Sequence, residues 1–290
     1  MTSGYARGFA NAASEALRLL GLLLLPGGDA RRIYGLLGSA HVVGEQSLFM
    51  NLGYWAEPSV RTFDEASAAL VDLVGRTAGL SGEDTVLDAG FGFGDQDLRW
   101  YEQYQPRSII GVNITPLHVA RARERVAARG LSDRIDLREG SATTTGLPAE
   151  SVDKVLAVES AFHFDTREDF FREALRVLRP GGRLCAADIV PLPGRSFSYP
   201  VRSIWHVPKA NLYPRDTYAV KLEAAGFRNV RVTSIREHVL EPHMRLLARR
   251  LDEPDLIARM NPLMRRASKS PGYNRDVLES FDYVLAVAEK

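Results

Sequence analysis

The chain has 290 residues, 45% hydrophobic and 25% charged, an ordinary globular composition with room for one large core. Its net charge of +1 leaves no electrostatic footprint for a nucleic-acid partner. The single cysteine, Cys185, excludes an internal disulfide and a cysteine-rich zinc site, and its apolar neighbours mark it as a core residue.

Taken in order, Ala6 to Leu25 reads as a helix stopped by Pro26-Gly27, and Arg31 to Leu37 as a short second one. The apolar run Leu19 to Leu25 is shorter than the ~20 residues a bilayer span requires. No small-residue cleavage site follows it, so a cytoplasmic protein without stable membrane insertion is expected. The apolar helix suits packing on the core, on a partner subunit by self-association or on a membrane surface. The stretch Asn51-Leu52-Gly53-Tyr54-Trp55 is aromatic and compact. Phe63 to Gly79 has helical periodicity, with Ala66, Leu70, Leu73 and Val74 on one side.

The run Val86-Leu87-Asp88-Ala89 then turns through Gly90-Phe91-Gly92-Phe93-Gly94 into a helical stretch. Ser108 to Asn113 reads as a second strand, Thr115 to Arg129 as a helix with Pro116 in its first turn, and Arg134 to Arg138 as a third strand. Val152 to Ser160 is a fourth strand, Arg167 to Leu178 a helix, Arg179-Pro180-Gly181-Gly182 a turn, and Arg183 to Val190 a fifth strand. This alternation predicts an α/β fold, a parallel sheet with helices on both faces and its ligands at the carboxyl ends of the strands. From Pro191 to Pro214 prolines punctuate an aromatic stretch holding Phe197, Tyr199, Trp205, His206 and Tyr213, too long for a simple connector. Asp216 to Gly226 is a helix and Asn229 to Ile235 a sixth strand. Val239 to Ala267 is a helical insertion, and Ser280 to Glu289 the last strand. The expected organisation is an N-terminal helical segment over residues 1–79, closing the site, and a core over 80–290. Lid insertions are placed at about 191–214 and 239–273.

The glycine turn is the chemical landmark. Glycine tolerates positive φ, and its missing side chain lets a ligand lie against the backbone. The spacing is Gly-x-Gly-x-Gly, with no lysine after it and Asp88 two residues before Gly90. That points away from a pyrophosphate and toward a ligand carrying positive charge. A bare strand–helix turn would use the same glycines.

The turn resembles motif I of class I S-adenosylmethionine-dependent methyltransferases. The resemblance covers about residues 47–236 and the final strand, and is vague in both insertions. It implies a Rossmann-like seven-stranded methyltransferase sheet with N-terminal helices and a helical, aromatic lid. The implied cofactor is S-adenosylmethionine, with S-adenosylhomocysteine as product. The implied cofactor contacts are Tyr54, Asp88, Gly90, Gly92, Gly94, Asn113, Ile114, Ser141, Ala142 and Glu159, with His118 near the methionine end or else a solvated helix residue. Asn113 and Ser141 depart from the acidic residues common there, but each can still hydrogen-bond a ligand.

Val158-Glu159-Ser160-Ala161-Phe162-His163-Phe164 and the later Asp188 resemble rebeccamycin- and rifamycin-type O-methyltransferases of natural products. By that resemblance His163, supported by Asp188, deprotonates an accepting hydroxyl on an apolar small molecule. Phe162, Trp205, His206 and Tyr213 are the candidate acceptor contacts, and His206 is an alternative base. Methylation at carbon or nitrogen of a prenyl, lipid or indole-type molecule is a second option. A cofactor-binding protein without transfer activity is a third. Cyclopropane fatty-acid synthases, similar in the core, carry a glutamate before the histidine where this chain has Phe162, which argues against lipid cyclopropanation.

Overall fold

The computed structural model describes residues 43–198, 202, 205–260 and 262–290. The helices expected over Ala6–Leu25 and Arg31–Leu37, and Tyr199, lie outside those residues. Seven strands form one sheet: β1 (Thr85–Ala89), β2 (Ser108–Asn113), β3 (Ile135–Glu139), β4 (Val152–Val158), β5 (Leu178–Pro191), β6 (Arg228–Ser234) and β7 (Phe281–Glu289). Their spatial order is β3-β2-β1-β4-β5-β7-β6. The neighbours from β3 to β5 pair in parallel, and β7 runs antiparallel to both β5 and β6. The chain first builds outward from β1 to β3, then returns to lay β4 on the other side of β1. The switch point between β1 and β4 is where such sheets hold a ligand.

Successive residues of the central strands serve opposite faces. Val86, Leu156, Cys185 and Ala187 join one core, while Leu87, Val155, Leu184 and Ala186 join the other. The first core is covered by α1 (Phe63–Ala78), α2 (Asp95–Tyr104) and α3 (Pro116–Ala128), through Leu70, Val74, Trp100 and Val126. The second is covered by α4 (Arg167–Val177) and α5 (Arg215–Ala225), through Phe170, Phe171, Ala174 and Leu222. α1 begins with a capping box in which Thr62 and Glu65 bond each other's backbone amides, and ends on Gly79 in the left-handed conformation.

Two sequence expectations change in detail. The turn Arg179–Gly182 is absorbed into β5 as a bulge, because the register against β4 jumps from Val152–Leu178 to Lys154–Arg183. The single helical insertion is four short helices: α6 (Leu240–Arg250), α7 (Pro254–Arg259), α8 (Pro262–Ser268) and α9 (Pro271–Ser280). Each of the last three starts on a proline, which opens a helix but cannot continue one. Between Pro191 and Pro214 the described residues include a 3-10 turn at Lys209–Asn211 and a helical residue at Arg202, among loops and turns. No helix among the described residues is long and apolar enough to cross a membrane.

Candidate active site

Gly90, Gly92, Asn113, Ile114, Ser141, Glu159 and His163 stand at or just beyond the carboxyl ends of β1 to β4, and each keeps part of its surface exposed. The glycine turn is shaped by close packing as well as by backbone conformation. Gly90 has φ +92°, and a Cβ there would meet the Ser160 Cβ at 2.4 Å, so β1 and the end of β4 touch only because Gly90 has no side chain. Gly92, at φ +56°, would bring a Cβ to within 3.3 Å of the Met50 sulfur.

Met50 belongs to a segment that crosses the turn. Its Leu48 N–H donates to Asp95 Oδ1 at 3.2 Å, at the start of α2. Leu52 N–H donates to Glu159 Oε1 at 2.6 Å, at the end of β4. The Leu52 carbonyl accepts from Trp55 Nε1 and from His243 Nδ1 of α6, each at 3.1 Å. Tyr54 packs edge-on against His238, with ring centroids 5.5 Å apart. Residues 48–55 therefore strap the glycine turn to the helical insertion.

Asp88 departs from its expected place. It is fully buried beneath the turn, with Gln96 Nε2 donating to both of its oxygens at 2.9 and 2.8 Å. Burial pushes its carboxyl up to about 7, and the equally buried Asp97 is pushed up as well, by burial and by the Asp88 charge. Two sealed carboxyls side by side cannot both ionise cheaply, so burial favours the uncharged form in this pair. Asp88 shapes the turn from below and has no face toward a ligand. His118 is likewise buried, neither solvated nor facing the open side, with its ring 4.3 Å from that of Phe93.

At the ends of β2 and β3 the polar groups are partly used in local turns. Asn113 Oδ1 accepts from Thr115 N at 2.9 Å, leaving its second lone pair and its amide protons for a ligand hydroxyl. Ser141 Oγ bonds Thr143 Oγ1 at 2.8 Å. Ala142 is buried beside it. Gly94 caps α2 in the left-handed conformation.

The turn after β4 carries His163. Its Nδ1 lies 3.1 Å from the His206 carbonyl. A carbonyl only accepts, so Nδ1 carries the proton and Nε2 the lone pair. Burial lowers the imidazole to about 3, so it is neutral at any working pH but weakly basic. The expected pairing with Asp188 is corrected. Asp188 Oδ2 accepts from Arg167 Nε at 2.8 Å, and Oδ1 accepts from the Phe162 and Ile189 amides at 3.0 and 2.9 Å. The Arg167 and Asp188 side chains are both completely buried, which makes this ion pair a structural commitment. Arg167 also donates to the carbonyls of Asn211 and Ile189. Asn211 in turn donates to the Phe162 and Phe164 carbonyls at 3.1 and 2.7 Å, so the histidine turn is gripped from two sides.

The aromatic candidates divide. Phe162 packs on His163 at 3.9 Å and stands 6.2 Å from Trp205. Trp205 donates its Nε1 proton to Tyr273 Oη at 2.7 Å and meets Phe281 edge-on, so it joins the two insertions. His206 contributes its carbonyl to His163 and adopts φ +46°. Tyr213 does not belong to this wall: it sits in the opposite core, with the Arg167 guanidinium 5.0 Å over its ring. Sequence reading missed Arg167, Asn211, Tyr273, His243 and Tyr283, which are remote in sequence from the motifs they serve.

A half-buried glycine turn, a partly exposed carboxyl at Glu159 and uncharged hydrogen-bonding groups on Asn113 and Ser141 fit a ligand cationic at one end and neutral and hydroxylated at the other. This is the fold of a class I methyltransferase. Residues 87–186 match the methyltransferase domain family. The chain is 38% identical over 279 residues, 91% of each protein, to erythromycin 3''-O-methyltransferase of Saccharopolyspora erythraea. It is 34% identical over 141 residues to 27-O-demethylrifamycin SV methyltransferase of Amycolatopsis mediterranei, covering 49% of this chain and 51% of that one. Among solved structures, the [4+2]-cyclase SpnF superposes with a TM-score of 0.72 at 22% identity, over 90% of this chain and 94% of that one, a likeness of fold. The chain belongs to the S-adenosylmethionine-dependent small-molecule methyltransferases of natural-product biosynthesis. Its cofactor is S-adenosylmethionine.

Proposed function

We propose that the chain transfers the methyl group to a hydroxyl of an apolar, erythromycin-like natural product, with His163 taking the hydroxyl proton. The supporting observation is the likeness to the erythromycin 3''-O-methyltransferase, which covers 91% of each chain. Gly90, Gly92, Asn113, Ile114, Ser141 and Glu159 hold the cofactor, and the 48–55 strap covers it. Bound there, the cofactor supplies an electrophilic methyl group on a good leaving group.

The protein's part is then positioning, exclusion of water and one proton transfer. The His206 carbonyl fixes the His163 tautomer so that Nε2 accepts. Trp205, backed by the buried Phe162, offers the acceptor an apolar surface. With a basicity this low, His163 contributes at the lower end of general-base catalysis, roughly 10²-fold. The test is transfer of labelled methyl to an erythromycin-type acceptor lacking the 3''-O-methyl group. Incorporation as a methyl ether at that oxygen is expected. Incorporation at carbon or nitrogen, or into no hydroxylated acceptor of this kind, overturns the proposal.

A further inference from the structure

Glu159 has a surrounding that calls for a ligand cation. It sits at the switch point, one residue past β4, with φ +49°, partly exposed beside the glycine turn. Its Oε1 accepts from two neutral donors, the Leu52 amide of the strap and the Tyr283 hydroxyl of β7, each at 2.6 Å. Among the described residues no lysine, arginine or histidine pairs with it. The other charge that reaches it is Asp188 of β5, whose own charge is answered by Arg167. On the far side of the Leu52 peptide stands His243, neutral because burial lowers it to about 4. A carboxylate in such a place is costly unless a cation comes with the ligand.

We propose that Glu159 supplies the negative charge opposite the sulfonium of S-adenosylmethionine, holding a proton when the site is empty and giving it up to solvent as the cofactor binds. This deepens, and rests on, the placement of Glu159 in the cofactor site. Burial pushes the carboxyl up to about 8, so the uncharged form dominates at neutral pH until a cation arrives. The proton balance closes over a turnover. Binding releases one proton, the neutral thioether product lets Glu159 take one back, and the acceptor hydroxyl releases one. One methyl ether and one proton result. The same carboxyl anchors the strap through Leu52 N–H, so cofactor charge is read where the strap is latched.

The experiment is calorimetric titration of the whole chain with S-adenosylmethionine and with S-adenosylhomocysteine, in buffers of different ionisation enthalpy, between pH 6 and 8. No acceptor is present, so the result is independent of the hydroxyl proposal, and failure of both ligands to bind would instead remove the cofactor site itself. The sulfonium ligand is expected to release about one proton near pH 6 to 7, with its Kd tightening about tenfold per pH unit. The thioether is expected to release markedly less. Glu159→Gln keeps an oxygen for Leu52 and Tyr283. It should erase the difference in proton release and lower the preference for the sulfonium on the order of tenfold. Equal proton release by the two ligands in the wild type overturns the inference. So does an unchanged difference in Glu159→Gln. Loss of the difference in Asp97→Asn, with a melting temperature near wild type, assigns the proton to the Asp88–Asp97 pair and also overturns it.

Discussion

The cofactor half and the acceptor half of this molecule are held together by different means. Around β1 to β4 the site is built by short-range geometry: a glycine turn, two strand-end turns at Asn113 and Ser141, and a parallel sheet buried on both faces. The acceptor side is built by long-range polar ties. The Arg167–Asp188 pair, Asn211 and the Trp205–Tyr273 bond bring together residues from α4, β5, the aromatic insertion and α9. A local turn tolerates change elsewhere in the chain. A network of buried polar groups is stable only when every member is present.

The largest effect is expected where that network is broken. Arg167→Ala leaves Asp188 buried without its cation and should cost about 3–5 kcal/mol, read from urea unfolding. A loss below about 1 kcal/mol would mean that the acceptor side does not depend on this pair. His163→Ala acts on chemistry alone. Turnover should fall roughly 10²-fold, with the affinity for S-adenosylmethionine within twofold of wild type. Since burial lowers His163 to about 3, the wild-type rate should show no acid limb from this group near pH 6.5. Its proton is gained only as pH falls below about 4, and a histidine limb near 6.5 would show that the acceptor opens the site to water. Trp205→Ala cuts the bond between the two insertions. KM for the acceptor should rise about tenfold while the cofactor Kd stays put. An equal loss in both would show that the two halves act as one.

The sheet, its strand ends and the glycine turn were legible because their causes lie within a few residues. Alternating strands and helices, Gly79 as a helix stop and Pro116 at a helix start are local rules, and the structure follows them. The site was less legible wherever a side chain had to choose between partners. Asp188 reads from the sequence as a partner of His163, yet its carboxylate is held by Arg167, whose guanidinium answers its charge in the core. Tyr213 was grouped with Trp205 by sequence proximity, yet the chain between them crosses from one face of the sheet to the other. Asp88 reads from the sequence as a ligand contact, yet Gln96, in the first turn of α2, folds back onto it.

By itself, then, the amino-acid sequence determined the α/β sheet, the place of the glycine turn and the family. The sheet and the turn rest on periodicity and on the backbone freedom of glycine, and the family on the resemblance of motifs. Only the tertiary structure decided that Glu159 faces neutral donors, that His163 is oriented by a carbonyl, and that two insertions meet at Trp205 and Tyr273. Burial and charge pairing are properties of neighbours in space, and those neighbours lie 124, 43 and 68 positions apart along the chain.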